Sequence, residues 1–235
     1  MKQEDNIESY FDKWARDFNT LSNIIPYYVR WSFKEIAKRI PKDNNYQIAD
    51  FGTGNGRLII NLNRKNYSFV GLDVSSEQLN LAALNTKEDN INAEFVKTNL
   101  EGRIPLEKNS IDYIVSNAAF HHVKNKENLF RSIFEILKSD GSLIFFDFYF
   151  DFENKEYEEK IRLLNEKYPS SAKKFKNSIE KEYHLIPFYL KETHPEEFHI
   201  DPFELKKLIM YLGFKNCELI PSFDKRYIGF KADKK

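Results

Sequence analysis

The chain has 235 residues, enough for one domain with a sizeable hydrophobic core. Its 36 lysines and arginines balance 36 aspartates and glutamates, so no global field draws it onto nucleic acid or an anionic membrane. A single cysteine, Cys217, excludes an intramolecular disulfide framework and a cysteine-rich zinc centre, and no run approaches the roughly 18 apolar residues of a membrane span; a cytoplasmic protein is the simplest expectation.

The first 40 or so residues read as helical, with Tyr10, Phe11, Trp14 and Phe18 on one face and Pro26 and Pro41 as punctuation. Residues 46–51 then form an apolar run leading into Asp50-Phe51-Gly52-Thr53-Gly54-Asn55-Gly56-Arg57, a turn with glycine at alternate positions. Without Cβ atoms the backbone can bend sharply and approach a ligand that side chains would hold off. Residues 57–63 read as a helix start, so free N–H groups and the positive end of a helix dipole would converge on a nucleotide-like ligand. A dinucleotide fingerprint, G-x-G-x-x-G, would need glycine at position 57, where Arg57 stands.

Residues 67–74 read as a second buried strand that ends in Asp73, an acid placed to accept both ribose hydroxyls of an adenosine. Ser75 and Gln78 follow in capping-box spacing and open the next helix. Residues 92–100 make a third strand ending near Asn99. Residues 110–123 make a fourth strand and the loop that carries His121 and His122, and residues 138–147 a helix end, a turn and a fifth strand.

Two helix-period patterns follow, at 155–168, ended by Pro169, and at 172–185, before Pro187. This charged, aromatic-containing stretch also holds Tyr183, His184, Phe188, Tyr189, His194, Phe198 and His199. It would form an apolar pocket, a cage for a cationic amine, or an aromatic mini-core holding the segment down. His194, Glu197 and His199 do not make a metal site, because Pro195 interrupts the helix that would align them. Asp201 as N-cap with Pro202 at the first helical position starts another helix, Gly213 stops it, and residues 215–220 and 226–231 read as closing strands.

The glycine turn, the acids at 50 and 73 and the order of the five strand signals between about 46 and 150 resemble the class I S-adenosylmethionine-dependent methyltransferases. The resemblance implies an α/β, Rossmann-like, doubly wound seven-stranded sheet, mostly parallel with an antiparallel last strand, plus N-terminal helices and a helical lid insertion. The expected layout is an N-terminal helical cap over 1–42, a cofactor-binding core over 46–148, a lid over 149–200, and a closing helix and two strands over 201–235. It implies S-adenosylmethionine as cofactor, leaving as S-adenosylhomocysteine, held by Asp50, Phe51, Gly52, Thr53, Gly54, Asn55, Gly56, Asp73, Val74, Gln78, Asn99, Leu100, Ser116 and Asn117. Asp50 would bond the loop's own amides or approach the amino group of the methionine moiety.

Methyl transfer from a sulfonium is an in-line displacement, and a general base is needed only for a protonated acceptor. His121 and His122 are the catalytic candidates, with packing or helix capping as the alternative. Trp14, Tyr183, His184 and Tyr189 are the candidate substrate contacts, Trp14 equally a sheet-edge packing residue. The loop Ser116-Asn117-Ala118-Ala119 lacks the pattern of enzymes that methylate planar amides, no cysteine lies near it, and no carboxylate cluster follows it to bind a metal. The reading is therefore metal-independent transfer to an O, N, S or C atom of a small molecule, with no nucleic acid or membrane partner and an open oligomeric state. A non-catalytic cofactor-binding module and another adenosyl-cofactor transferase, such as an aminopropyl transferase, are the alternatives.

Overall fold

The computed structural model describes residues 3–21, 27–42, 44–149, 197–222 and 227–235. Both helices expected at 155–168 and 172–185 lie outside these residues, as does most of the expected lid. Among the described residues no helix is long and apolar enough to cross a membrane.

Two helices, α1 (Gln3–Leu21) and α2 (Tyr27–Lys38), precede β1 (Tyr46–Phe51). There follow α3 (Arg57–Leu62), β2 (Tyr67–Asp73), α4 (Ser76–Glu88), β3 (Ala93–Lys97) and β4 (Ile111–Asn117). A single 3-10 turn (Phe120–His122), α5 (Lys126–Ile136), β5 (Leu137–Phe148), α6 (Pro202–Tyr211), β6 (Lys215–Pro221) and β7 (Tyr227–Asp233) complete the order. The strands form one seven-stranded sheet in the order β3-β2-β1-β4-β5-β7-β6, with β7 antiparallel to both its neighbours and the other pairings parallel.

The strands are apolar on both faces because helices cover both. Ala49, Phe51, Ile114, Leu143, Phe145, Ile228 and Phe230 point into a core shared with Phe130 and Ile133 of α5 and with Leu205 and Ile209 of α6. Their chain neighbours Ile48, Val115, Ile144, Phe146 and Tyr227 point the other way, to Phe33 and Ile36 of α2 and Leu58 and Ile59 of α3. The period-two alternation thus feeds two cores from one sheet.

Local signals explain the element ends. Ser75 caps α4 by accepting from the Gln78 amide at 3.1 Å, and Asp201 caps α6 by accepting from the Phe203 and Glu204 amides, with Pro202 inside the first turn. Gly213, at φ 109°, ends the last helix. The fifth strand differs from expectation: α5 stops at Ile136, and β5 starts directly at Leu137. Between the pairs Ile111↔Leu137 and Tyr113↔Ser142, β5 advances five residues while β4 advances two, so the expected turn at Asp140-Gly141 is a bulge inside the strand.

β1 pairs with β2 on one side and β4 on the other, so the chain runs outward in both directions from this pair. A parallel sheet opens a crevice at such a reversal, beyond the carboxyl ends of the strands. The glycine turn, Asp73 and the loop after β4 all lie at that end.

Candidate functional site

The glycine turn is tied down by the strand beside it. The Gly52 and Thr53 amides donate to the Leu72 carbonyl at 2.8 and 2.9 Å, and the Gly54 amide donates to Asp73 Oδ2 at 2.8 Å. These three turn amides are therefore engaged within the fold. Helix α3, which follows the turn, has six residues.

The three glycines have separate roles. A Cβ on Gly52 would lie 2.3 Å from Ala119 Cβ, and one on Gly56 3.2 Å from Ala82 Cβ, so these two let the turn pack under the loop after β4 and against α4. Gly54 alone faces space: its nearest would-be contact is Gln78 Oε1 at 3.9 Å. Of the three, only Gly54 keeps a surface open to a ligand.

Asp73 accepts from two amides, Gly54 on Oδ2 and Ser75 on Oδ1 at 3.0 Å, and two carboxylate oxygens retain further lone pairs. Burial raises its pKa against these amide bonds and that of Val74. Asp50 is buried and accepts the Thr53 hydroxyl at 2.8 Å on Oδ2, so its partner in the turn is a hydroxyl and not an amide. Burial, with the nearby Asp73 charge adding and the Thr53 bond opposing, pushes the Asp50 carboxyl up to about 7.

Three buried side-chain oxygens near these strand ends have no hydrogen-bond partner among the described residues: Asp50 Oδ1, Gln78 Oε1 and Thr98 Oγ1. Each costs about 1–3 kcal/mol if left dry and unpaired. Gln78 is in this position because the capping box forms by half: Ser75 accepts from the Gln78 amide, but the Ser75 amide goes to Asp73 and not back to the Gln78 side chain. Asp50 Oδ1 and Gln78 Oε1 are acceptors and the Thr98 hydroxyl can accept as well as donate, so the site suits a ligand rich in N–H and O–H donors.

Other expected contacts are distributed unevenly. Phe51 is fully buried in the core and its carbonyl accepts from Ser116 Oγ at 2.7 Å, a clamp between β1 and β4. The Asn117 Oδ1 accepts from Ser32 Oγ at 2.6 Å and from the Tyr227 hydroxyl, which ties the β4 end to α2 and β7. Asn55 reaches α1 through Asn19 at 3.2 Å, Val74 and Leu100 are half-buried, and Asn99 is exposed with its Oδ1 taking the Glu101 amide at 2.9 Å. The buried polar group at the end of β3 is Thr98, whose amide donates to the Asp73 carbonyl at 2.8 Å. Asp12 of α1 accepts from Ser75 Oγ at 2.5 Å and from the Glu77 amide at 3.1 Å, pinning α1 across the start of α4.

Beyond β4 the structure gathers three histidines. His121 is buried; its Nδ1 lies 2.5 Å from Asp147 Oδ1, and its own amide donates to Asp147 Oδ2 at 3.0 Å. The His122 ring is 4.0 Å from that of His121, with Phe11 of α1 edge-on to it at 5.4 Å. His199 stacks parallel on His121 at 6.0 Å, with Nε2 2.8 Å from Glu197 Oε2 and Nδ1 3.2 Å from the Phe148 carbonyl. Burial would lower the His199 pKa, but its bonds to Glu197 and Phe148 raise it on balance; the same contact with His199 pulls Glu197 down to about 2.

The segment 197–200 is fastened here as well. The Phe198 amide donates to the His121 carbonyl at 2.6 Å, and the buried Lys126 Nζ donates to the Phe198 carbonyl at 2.7 Å and to the Val123 carbonyl. Burial lowers that ammonium to about 8 despite Asp147 and Glu101. Among the described residues no group of three or more His, Cys, Asp or Glu side chains is arranged to hold a metal ion.

His121 and His122, expected as a pair, are brought together at the crevice. Tyr183, His184 and Tyr189 lie outside the described residues, and for Trp14 only the backbone, within α1, is described. Asp147 and Asp12 had no assigned role in the sequence. Asp147 was detectable as the one acid in the otherwise apolar run 143–148; Asp12, on a helix face with other charges, carried no distinguishing signal.

Residues 42–207 match the family model described as "Methyltransferase domain". The chain is 28% identical over 144 residues to CRG1 of Saccharomyces cerevisiae, a probable S-adenosylmethionine-dependent methyltransferase, covering 60% of this chain and 48% of that protein. It is 25% identical over 167 residues to the ubiquinone/menaquinone biosynthesis C-methyltransferase UbiE of Wigglesworthia glossinidia brevipalpis, covering 67% and 66%. The chain thus spans about half to two thirds of these relatives. Among solved structures, it is similar to a chain of the complex between the Haloferax volcanii Trm112 methyltransferase activator and a methyltransferase, with a TM-score of 0.66, 18% identity, and coverage of 95% and 97%, a likeness of fold.

Proposed function

The chain belongs to the class I S-adenosylmethionine-dependent methyltransferase family, and from that premise we propose that it methylates a small-molecule acceptor without the help of a metal ion. The observation that carries this reading is the set of unpartnered buried oxygens on Asp50, Gln78 and Thr98 near the strand ends, with Gln78 Oε1 beside the open side of Gly54. S-adenosylmethionine has an ammonium group, two ribose hydroxyls and an adenine amine, donors of the kind these acceptors lack. The residues present fit the cofactor.

Asp73 and Gln78 would hold the ribose, and Asp50 the ammonium group. Thr98 would face the adenine edge, with Val74 and Leu100 as apolar walls. When bound, the cofactor supplies a methyl group on a positively charged sulfur, activated for displacement. The protein's part is alignment: the turn, pinned by Leu72 and Asp73, and the β4 end, clamped by Ser116 to Phe51, form rigid sides of one crevice. A sulfonium donor needs no Lewis acid, only an acceptor atom held in line.

Isothermal titration calorimetry with S-adenosylmethionine tests this. Wild-type protein is expected to bind, and Gly54→Val to lose binding. Thr98→Val, which removes the unpartnered oxygen at little cost in packing, should weaken affinity several-fold while the melting temperature of the free protein stays the same or rises. Absence of binding by the wild type overturns the reading.

A further inference from the structure

We propose that the Asn117 side-chain amide binds the carboxylate at the methionine end of the cofactor, and that the site thereby selects S-adenosylmethionine over its decarboxylated form. This deepens the methyl-transfer reading above and rests on it.

The unpartnered oxygens on Asp50, Gln78 and Thr98 leave one part of the cofactor without a match. Its carboxylate only accepts, and so needs donors. The nearby backbone donors at Gly52, Thr53, Gly54, Gly56 and Ala118 are in use. The first three go to Leu72 and Asp73, the Gly56 amide donates to the Thr53 carbonyl at 3.0 Å, and the Ala118 amide to the Phe146 carbonyl at 2.8 Å.

Asn117 supplies the donor. The Tyr227 hydroxyl gives its proton to Asn117 Oδ1, and Ser32 Oγ, 2.6 Å from the same oxygen, shares its proton with the Val29 carbonyl at 2.7 Å. With the amide turned over, the Tyr227 proton would be left with Ser32 Oγ at 3.3 Å, so the network is satisfied with Oδ1 facing the two hydroxyls. Ser32 and Tyr227 are both buried, which fixes the oxygen end of the amide from the protein side. Nδ2 then carries two N–H groups that make no hydrogen bond to a described residue. Asn117 is only half-buried and its oxygen end is the enclosed one, which leaves the nitrogen end toward the crevice.

The placement matches an α-amino acid. Strands β1 and β4 run parallel with Asp50 paired to Val115, and Asn117 follows Val115 by two residues. Alternation puts Asp50, Val115 and Asn117 on one face, the face that Ile48 and Val115 share with α2 and α3. Asn117 thus stands on the neighbouring strand two residues beyond Asp50, a backbone separation of about 8 Å. Two short side chains reaching into that gap leave room for an ammonium and a carboxylate borne on a single carbon. Asp50 Oδ1 accepts and Asn117 Nδ2 donates, so the pair complements both charges of the zwitterion.

The decarboxylated cofactor keeps the ammonium, ribose and adenine but has a hydrogen where the carboxylate stood. It would leave Nδ2 unpaired. Aminopropyl transfer draws on that decarboxylated molecule, so this one contact also separates the chain from that chemistry.

Isothermal titration calorimetry of the full chain with S-adenosylmethionine and with S-adenosyl-3-methylthiopropylamine, its decarboxylated form, tests the proposal. The wild type should bind the intact cofactor at least about 10-fold more tightly, the order expected of one charge-assisted hydrogen bond. Asn117→Asp keeps an acceptor for Ser32 and Tyr227 and sets an anionic oxygen in place of the donors. It should lower affinity for S-adenosylmethionine at least about 10-fold and leave affinity for the decarboxylated form unchanged or higher. Equal wild-type affinities, or an equal loss on both ligands in the variant, would overturn the proposal. If Asn117→Asp does not fold, proton–nitrogen NMR of the wild-type Asn117 side-chain amide decides: S-adenosylmethionine should shift it more than the decarboxylated form does, and identical shifts overturn the assignment. A wild type that binds neither ligand brings down the methyl-transfer reading as well; one that binds both alike brings down only this proposal.

Discussion

The His121 and His199 rings stack 6.0 Å apart with 6° between their planes, while Asp147 holds the first ring and Glu197 the second. The stack joins two parts of the chain far apart in sequence. It also joins the end of β4 to the segment that returns from the residues after β5.

That segment should loosen when His199 loses its second proton. The His199 pKa is raised in the folded protein: burial lowers it, but the bonds to Glu197 and Phe148 and the nearby Glu197 and Asp147 charges together outweigh burial. The stabilisation is fully present below the unfolded value of about 6.5 and is lost as pH rises through the folded value. In Glu197→Gln, NMR titration should find His199 deprotonating at lower pH than in the wild type, and amides 198–200 should exchange faster at neutral pH. An unchanged His199 titration would show that Glu197 does not hold it.

Asp50 gives a pH dependence in another range. Its folded pKa, about 7, lies above the unfolded value of about 3.9. Its contribution to stability is complete below the unfolded value and declines as pH rises from there through about 7. Asp50→Asn should remove this part of the slope in thermal melts of the free protein between pH 4 and 8. A slope identical to that of the wild type would contradict the buried, raised carboxyl.

The glycines at 52 and 54 should separate folding from binding. Gly52→Ala puts a Cβ 2.3 Å from Ala119 at φ 74°, and should destabilise the fold by about 2 kcal/mol or more. Gly54→Ala meets nothing closer than 3.9 Å and carries only the strain of φ 53°, about 1 kcal/mol. Denaturant unfolding gives the first difference and cofactor calorimetry the second, where Gly54→Ala should be the more damaging of the two per unit of stability lost.

Tyr227→Phe removes one of two hydroxyls that reach Asn117 Oδ1, and Ser32 remains. Urea unfolding should register a loss of about 1 kcal/mol, typical of one hydrogen bond. A loss several times larger would mean that the hydroxyl anchors the whole β4 end.

The architecture was legible because its causes are local. Period-two apolar runs, the Ser75 and Asp201 caps and the Gly213 stop depend on neighbours a few residues away, and they specify strands and helices in order. The β5 bulge was not legible, since it depends on register with β4. At the site, Asp50, Gly54, Asp73 and Gln78 were recognisable from spacing along one turn and the following helix. Asn99 was the expected polar group at the end of β3, but β3 stops at Lys97 and turns Thr98 inward in its place.

The sequence by itself determined that this chain folds as a doubly wound sheet with a glycine turn between two strand-end acids, because hydrophobic period, glycine spacing and strand-end acids are properties of contiguous residues. Only the tertiary structure decided which glycine of the turn faces open space and which histidine is held by a carboxylate. Those outcomes depend on what lies opposite: Ala119 against Gly52, open space against Gly54, and Asp147 of β5 against His121. Residues 26 apart or more meet only once the sheet is assembled.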